Sequence, residues 1–220
     1  MTAPGLVVRR VNPSSDDEWR IVMDVLMRTF SEDHTLEALG DGSASTAKLK
    51  IQLTVERSLR EGESYILYEG DEPCATAVWM APGYDWRIAE DPYFLSQVSE
   101  EMQEWYSHHF VPKHSELYGL AGLDRSRGRK DAWKLLFLGV LPCHRGKGAC
   151  KTLIQLVSRK ADAESKRILA EVTSPAQVQH LWDFGFTYRS VKNFSSPRFS
   201  GFPIWLLVRE PGYGGTPRQN

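Results

Sequence analysis

Residues 135–154, LLFLGVLPCHRGKGACKTLI, constrain the fold more than any other stretch of the chain. Residues 135–140 have the length and apolar composition of a buried strand, and Pro142 ends it. A short basic turn with two glycines follows, and apolar residues then recur at helical spacing from Ala149 to Ala161. The pattern predicts a buried strand, a glycine turn and an amphipathic helix that begins inside the turn.

This predicted turn has the features of an anion site. The first backbone N–H groups of a helix have no partner within the helix and point at whatever lies in front of them. Gly146 and Gly148 carry no Cβ, so a phosphate can approach the backbone closely. Arg145 and Lys147 supply positive charge. The sequence therefore predicts a turn that holds a phosphate or a pyrophosphate.

Two common phosphate-binding motifs do not fit this turn. A Walker A loop needs Ser or Thr after its lysine, whereas Lys147 is followed by Gly148. The dinucleotide fingerprint needs a third glycine where Lys151 stands. Residues 140–149, VLPCHRGKGA, instead resemble the acyl-CoA-binding motif V-x-P-x-x-(Q/R)-G-x-G of the GNAT superfamily of N-acetyltransferases.

Two further segments resemble the same superfamily. Residues 181–186, LWDFGF, are similar to its helix-to-strand element that ends with GF. Residues 78–83, VWMAPG, resemble the puromycin-acetyltransferase-like branch. The resemblance implies an α/β fold with a mixed, mostly antiparallel twisted sheet flanked by helices. We expect one such domain over residues 1–210 and a flexible tail, rich in Gly and Pro, over residues 211–220.

The resemblance implies acetyl-CoA, or another short acyl-CoA, as cosubstrate, and no metal. The contacts that it implies are Leu138, Gly139, Val140, Arg145, Gly146, Lys147, Gly148, Ala149, Cys150, Thr173 and Ser174. Among them Gly139 is informative, because a glycine inside a strand often marks the close approach of a ligand or of other backbone. Cys150 stands where the family usually has Gly or Ala. We interpret it as a packing residue, since no His–Asp pair is evident beside it to make a nucleophile.

One position departs from the family. Many relatives place a tyrosine four residues before the glycine of GF, as the acid that protonates the leaving thiolate, and here that position is Leu181. The neighbouring His180 is a candidate replacement, and loss of such an acid typically costs ~10²–10⁴ in rate. Asp131 and Glu171 are candidate bases for the attacking amine.

We expect four residues on the acceptor side, and three of them are aromatic. They are Phe30, Asp33, Trp79 and Trp133. Aromatic side chains that line a pocket favour an acceptor that is small and partly apolar.

Elsewhere, alternating apolar patterns predict strands on both sides of the central one, with helices between them. Residues 33–45 are polar and predict a loop. An amphipathic helix is predicted from Pro92, with Asp91 as its N-cap, through His109 and ending near Pro112, and residues 113–130 show no clear element. The basic residues at 125–130 predict a solvated loop.

Composition narrows the class of protein. The 220 residues are 41% hydrophobic and 25% charged, as in ordinary globular proteins, and no apolar run approaches the ~20 residues of a membrane helix. The net charge of −1 gives no general reason to bind nucleic acid or an anionic membrane. Three widely spaced cysteines oppose a disulfide framework, and the N-terminus lacks signal-peptide features. We expect a cytoplasmic monomer or homodimer.

The sequence thus predicts an acyl-CoA-dependent N-acyltransferase, most simply an N-acetyltransferase, in which a small-molecule amine attacks the thioester directly. Leu181 motivates an alternative, which is a catalytically weak or inactive CoA-binding protein that acts as a sensor or partner. Acyl transfer to a hydroxyl is a third interpretation.

Overall fold

A seven-stranded sheet forms the centre of the protein, which a computed structural model describes over residues 5–123 and 128–212. Its strands are β1 Leu6–Arg10, β2 Gly62–Glu69, β3 Glu72–Met80, β4 Ala132–Val140, β5 Arg167–Val172, β6 Thr187–Phe194 and β7 Phe202–Arg209. Their order across the sheet is β1-β2-β3-β4-β5-β7-β6. Only the β4–β5 pair of these strands is parallel. The predicted mixed, mostly antiparallel sheet is confirmed.

Eight α-helices surround this sheet in the described part of the chain. They are α1 Asp16–Thr29, α2 His34–Leu39, α3 Ala44–Glu61, α4 Pro92–Leu95, α5 Glu100–Trp105, α6 Val111–Leu120, α7 Ala149–Ala163 and α8 Pro175–Trp182. A π-helical turn, Tyr106–Phe110, joins α5 to α6, and 3₁₀ turns occupy Ile88–Glu90 and Pro142–His144.

Both faces of the sheet are buried, so its central strands are apolar along their length. Side chains alternate between the two faces of a strand, and β2 shows the result. Tyr65 and Leu67 pack in one cluster with α7. Ile66, between them, packs in another cluster with α1 and α3. The helices contribute Leu153, Ile154 and Val157 of α7 to the first cluster, and Val22, Leu26, Ile51 and Val55 of α1 and α3 to the second.

The parallel pair β4–β5 separates halfway along its length. Backbone pairing between the two strands ends at Leu135 and Ala170. Beyond that point β5 remains paired with β7 through Glu171 and Val172. The end of β4 therefore keeps β3 on one edge and leaves the edge that faces β5 open.

A β-bulge lies at the point of separation. Val78 of β3 pairs with Phe137, but the next residue, Trp79, pairs with Leu135. Leu136 is thus an extra residue on β4. A bulge bends its strand and increases its twist, which turns the end of β4 away from β5.

The segment predicted as a loop at residues 33–45 contains the short helix α2, so that prediction is wrong. The Asp33 carboxylate accepts a hydrogen bond from the Leu36 N–H at 2.8 Å and caps the helix. Leu36, Ala38 and Leu39 are buried, and this apolar contact stabilises a helix that would be too short alone.

The helix predicted from Pro92 to His109 begins as expected, since Asp91 caps α4 at Pro92, but its predicted extent is wrong. Ser99 caps a new helix and interrupts the pattern. At the other end the chain stays helical through Pro112, because a π-helical turn just before the proline makes room for its ring. The Val111 N–H bonds to the Tyr106 carbonyl, five residues back, which widens the helix just before the ring. Helix α6 therefore lies in a region that showed no clear element in the sequence.

Three further observations concern membrane spans, metal sites and the C-terminal tail. Within residues 5–123 and 128–212, no helix has the length and apolar character needed to span a membrane. The same ranges contain no group of three or more His, Cys, Asp or Glu side chains placed to hold a metal ion. The predicted tail at residues 211–220 lies outside the described residues from position 213 onward.

Gly62, the first residue of β2, tests the packing between β2 and β3. A Cβ at this position would lie 1.9 Å from the backbone oxygen of Trp79, which cannot move without disturbing the strand. We expect Gly62→Ala to lower the free energy of unfolding by about 2–3 kcal/mol in urea titrations. Gly119→Ala is the control. A Cβ there meets nothing within 4 Å, so we expect a gain of about 0.5–1 kcal/mol from helix propensity. Equal stability of the two variants would contradict this packing.

Candidate active site

One cleft of ≈ 790 Å³ runs across the open end of the sheet. At one end it is lined by the glycine turn and the start of α7. In the middle it follows the open edge of β4 and the end of β5. At the other end it is lined by α3, α6 and residues 86–89. We call these regions the turn end, the strand section and the acceptor end.

The turn end has the backbone geometry of an anion site. Gly146 and Gly148 have φ values of +78° and +87°, in the left-handed region that favours glycine. An added Cβ at either position meets nothing within 4 Å, so the space beside both is open. Helix α7 begins at Ala149, and no side chain caps it. Its first N–H groups are therefore left for a ligand.

The two basic side chains of this turn differ in their surroundings. The Lys147 ammonium is 2.8 Å from Oε2 of Glu69 on β2, and Nδ1 of His144 is 2.6 Å from the same oxygen. These hydrogen bonds lower the pKa of Glu69, that from Lys147 most strongly. Lys147 is not part of the cleft wall, whereas Arg145 is. The charge predicted for Lys147 is thus largely directed at Glu69.

The other residues predicted to contact the cofactor are divided between the cleft and its supports. Leu138, Val140, Ala149, Cys150 and Thr173 line the cleft. Gly139 and Ser174 do not. A Cβ on Gly139 would lie 3.1 Å from Oγ1 of Thr29, so this glycine makes room for α1. Ser174 caps α8, and its hydroxyl accepts from the Gln177 N–H. Burial raises the pKa of the Cys150 thiol, which opposes a role as nucleophile.

The four residues predicted for the acceptor side are also divided. Phe30 and Asp33 line the cleft. Trp79 is fully buried, and Trp133 is buried with its indole N–H donating to Glu164 at 2.8 Å. Both tryptophans belong to the core cluster beneath α7 and not to the cleft wall.

The candidate acids and bases lie in three different settings. Asp131 is 65% exposed, pairs with Lys166, and is not part of the cleft wall. His180 is on the wall of the cleft, exposed, with its ring against Phe184. Leu181 is buried in the same wall and has no proton to donate. Glu171 lies where β5 parts from β4.

Glu171 is held by two side chains of α6. The Tyr118 hydroxyl donates to its Oε1 at 2.5 Å, and Nε2 of His114 lies 2.9 Å from the same oxygen. Both contacts use Oε1, so Oε2 is left for the cleft. A third of the Glu171 side chain is exposed, whereas His114 and Tyr118 are buried. The carboxylate is therefore held in direction by two buried side chains and lines the cleft.

The surroundings of Glu171 keep it ionised. Burial by itself raises the pKa of this carboxyl, but His114, Arg129 and Tyr118 outweigh it and bring the pKa to about 2. The Glu171 carboxylate is therefore a weak base that carries its negative charge throughout the neutral pH range.

A cluster of buried charges stands behind the acceptor end. Asp85 lies 3.1 Å from Nε of Arg129 and 2.8 Å from Nζ of Lys134. The Arg129 guanidinium also stacks on the Tyr118 ring, 4.1 Å from its centre. Arg129 is only 4% exposed, so the prediction that the basic residues at 125–130 form a solvated loop is wrong for this one. Residues 124–127 are outside the described residues.

Sequence reasoning missed much of the acceptor end. Lys50 of α3 lines the cleft, and burial lowers its pKa to about 8, although Asp33 and Glu171 act in the opposite direction. His114 and Tyr118 were missed because Pro112 was interpreted as a stop. Phe110, His114 and Tyr118 follow one another at intervals of four residues, which is the spacing of one helix face and could have predicted the helix.

The low pKa of Glu171 predicts acid sensitivity. Above pH 4.5 the carboxylate is ionised in both the folded and the unfolded chain, and its contacts stabilise the fold in full. As the pH falls from 4.5 towards 2, the unfolded chain takes up the proton first, and that stability is lost. We expect a loss of about 1 kcal/mol, since the group is partly exposed. The pH dependence of urea unfolding should be flatter in Glu171→Gln, and unchanged in Glu32→Gln, an exposed acid outside the cleft. Parallel curves for wild type and Glu171→Gln would contradict the assignment.

Comparison with known proteins gives the same fold. A family model described as Acetyltransferase (GNAT) family matches residues 76–186, which span β3 to the end of α8 and half of the chain. The fold is also similar to that of histone acetyltransferase HPA2 and related acetyltransferase from Corynebacterium glutamicum. That similarity has a TM-score of 0.65 and 17% identity over 98% of this chain and 99% of that one.

Two further solved structures have the same fold. The polyamine N-acetyltransferase of Drosophila melanogaster has a TM-score of 0.62 and 14% identity over 93% of this chain and 99% of its own. For yncA from Salmonella typhimurium, solved with its cofactor acetyl-CoA, the TM-score is 0.58 with 12% identity over 98% and 99%. Since the family model covers the glycine turn and the separated strands, the chain belongs to the GNAT acetyltransferase family.

Proposed function

We propose that this protein is an acetyl-CoA-dependent N-acetyltransferase whose acceptor is a small-molecule primary amine. The observation that carries the proposal is one continuous cleft, which joins the open glycine turn to Glu171. A thioester bound along β4 and an amine at Glu171 would share one space. Its volume of ≈ 790 Å³ is in the range of small-molecule sites, which is ~300–1,000 Å³.

The turn end and the strand section fit acetyl-CoA. The N–H groups at the start of α7, with Arg145 beside them, would bind the pyrophosphate. The open edge of β4 offers the backbone groups of Leu138 and the N–H of Val140 for the amides of the pantetheine arm, while the Val140 carbonyl accepts from Nε of Arg145 at 3.4 Å. The thioester would then lie near the bulge at Leu136.

Glu171 is the residue to which we assign the acceptor amine. Its free Oε2 can accept a hydrogen bond from the amine nitrogen and so aim the nitrogen lone pair at the thioester carbon. As the new N–C bond forms, positive charge develops on nitrogen, and the ionised carboxylate stabilises it. With a pKa of about 2, Glu171 acts by its charge and leaves the final proton to the solvent in the cleft.

The leaving group has no obvious acid. Leu181 stands where many relatives have a tyrosine, and the Tyr118 hydroxyl already donates to Glu171. Water that enters the cleft would protonate the CoA thiolate. The leucine at position 181 favours a second candidate function, in which the chain binds CoA with little or no turnover and acts as a sensor or partner. The narrower resemblance to the puromycin-acetyltransferase-like branch stays a prediction.

An assay of CoA thiol release, with a panel of primary amines and matched alcohols, tests the function. We expect release with amines and none with alcohols. Glu171→Gln should lower kcat by about 10²–10³ because the charge is lost while the shape is kept. Glu116→Gln is the matched control. Glu116 lies on α6 but is 63% exposed and pairs with Lys192, so its loss should leave kcat unchanged. Equal rates for wild type and Glu171→Gln would remove Glu171 from the mechanism.

Binding of the cofactor is tested separately by thermal unfolding. We expect CoA at 100 times its dissociation constant to stabilise the fold by about 2.7 kcal/mol and so to raise the melting temperature. Gly148→Glu should abolish this shift, because it places a carboxylate at the anion site. Gly122→Glu is the control, since Gly122 also has a positive φ of +69° and open space but lies outside the cleft wall.

The two assays together separate the candidates. A shift in melting temperature without thiol release from any amine would support the CoA-binding sensor or partner. No shift at millimolar CoA would contradict both.

A further inference from the structure

Arg87 carries unpaired hydrogen-bond donors at the acceptor end of the cleft. It is part of the cleft wall, and its side chain is only 7% exposed. Nη2 donates to the Glu90 carboxylate. Nε and Nη1 are buried and have no hydrogen-bond partner. Buried polar groups are nearly always paired, and a charged donor without an acceptor is costly, so such a group marks a place where a ligand oxygen would bind.

Arg87 lines the same cleft as Glu171, the group that would hold the amine. Two residues before Arg87, the Asp85 carboxylate contacts Arg129, and the Arg129 guanidinium stacks on the Tyr118 ring at 4.1 Å. The Tyr118 hydroxyl in turn donates to Glu171. The segment that carries Arg87 is therefore tied to the side chains that hold Glu171.

The charges around this end are balanced in number, so they do not select an anion by themselves. The wall's described basic residues are Lys50, Arg87, Arg129 and Lys134, and its described acids are Asp33 and Glu171. Asp85 and Glu90, behind the wall, cancel this excess of two, because Asp85 contacts Arg129 and Lys134 while Glu90 contacts Nη2 of Arg87. The case for an anionic group on the ligand therefore rests on the two donors of Arg87 that remain unpaired.

We propose that the acceptor carries a carboxylate as well as its amine, as a free amino acid does, with the carboxylate at Arg87 and the amine at Glu171. The proposal rests on the N-acetyltransferase function proposed above. The amine nitrogen forms a bond to the acetyl carbon, the C–S bond of the thioester breaks, the amine loses one proton and the CoA thiolate gains one. The carboxylate is unchanged, and the products are an N-acetylamino acid and CoA.

Matched pairs of acceptors test the proposal on the unmodified protein. Phenylalanine is compared with phenethylamine, tryptophan with tryptamine, and lysine with cadaverine, because each pair differs only by the carboxylate. We expect kcat/KM, measured as CoA release, to be at least about 10-fold higher for the amino acid of each pair that is turned over. Methyl esters of the same amino acids should behave like the decarboxylated amines. Equal or higher kcat/KM for the decarboxylated members would overturn the proposal.

Variants of Arg87 locate the carboxylate. Arg87→Gln should raise KM for the amino acids about 10- to 100-fold and leave KM for their decarboxylated partners unchanged, while Arg87→Lys should restore part of the preference. Arg28→Gln, at an exposed arginine of α1 that pairs with Asp24, is the control. The ratio between pair members is measured within one preparation, so a general loss of folded protein does not change it. A ratio unaffected by Arg87→Gln would contradict the assignment.

The outcomes also separate this proposal from the function on which it rests. CoA release from amines without preference for a carboxylate would overturn the amino-acid proposal alone. No release from any acceptor, with CoA binding retained, would overturn the N-acetyltransferase function and this proposal together.

Discussion

The separation of β4 from β5 is the constraint on which the rest of the structure depends. In a continuous sheet the edge of β4 would be paired along its whole length and nothing could bind there. Pairing of β4 with β5 stops at Leu135, and the bulge at Leu136 turns β4. Beyond that point β5 is paired with β7 but no longer with β4. The gap has backbone groups on one side and Glu171 on the other. The glycine turn and α6 close its two ends, so the cleft follows directly from one irregularity in strand pairing.

The charges around the acceptor end depend on one another. Glu171 stays ionised because His114, Arg129 and Tyr118 surround it, and Arg129 is itself held by Asp85. Removing one member of a buried network leaves its partner charged and unpaired, which costs more than the pair contributes. Such a network fixes the direction of a carboxylate more firmly than packing alone. The same rigidity makes the group intolerant of single substitutions.

The sequence was sufficient for the turn end and insufficient for the acceptor end, and the reason is distance along the chain. The strand, the turn and the start of α7 are contiguous, so their local pattern predicts an anion site and its glycines. The acceptor end is assembled from α3, the segment after β3, α6 and β5. No local pattern shows that Lys50 and Arg87 line the same cleft as Glu171, and the bulge at Leu136 lies in an unbroken apolar run. Gly139, which the sequence singled out, accommodates α1 instead.

The π-helical turn at Tyr106–Phe110 has a consequence for how this site could change over generations. Successive residues of an α-helix are rotated by about 100° around its axis, so one extra residue in a turn redirects every side chain that follows. His114 and Tyr118 face Glu171 with that extra residue in place. In genetic terms, the loss of a single codon from this turn would swing both side chains away while preserving each of them. The geometry of the acceptor end therefore depends on the number of residues in this segment as much as on their identity.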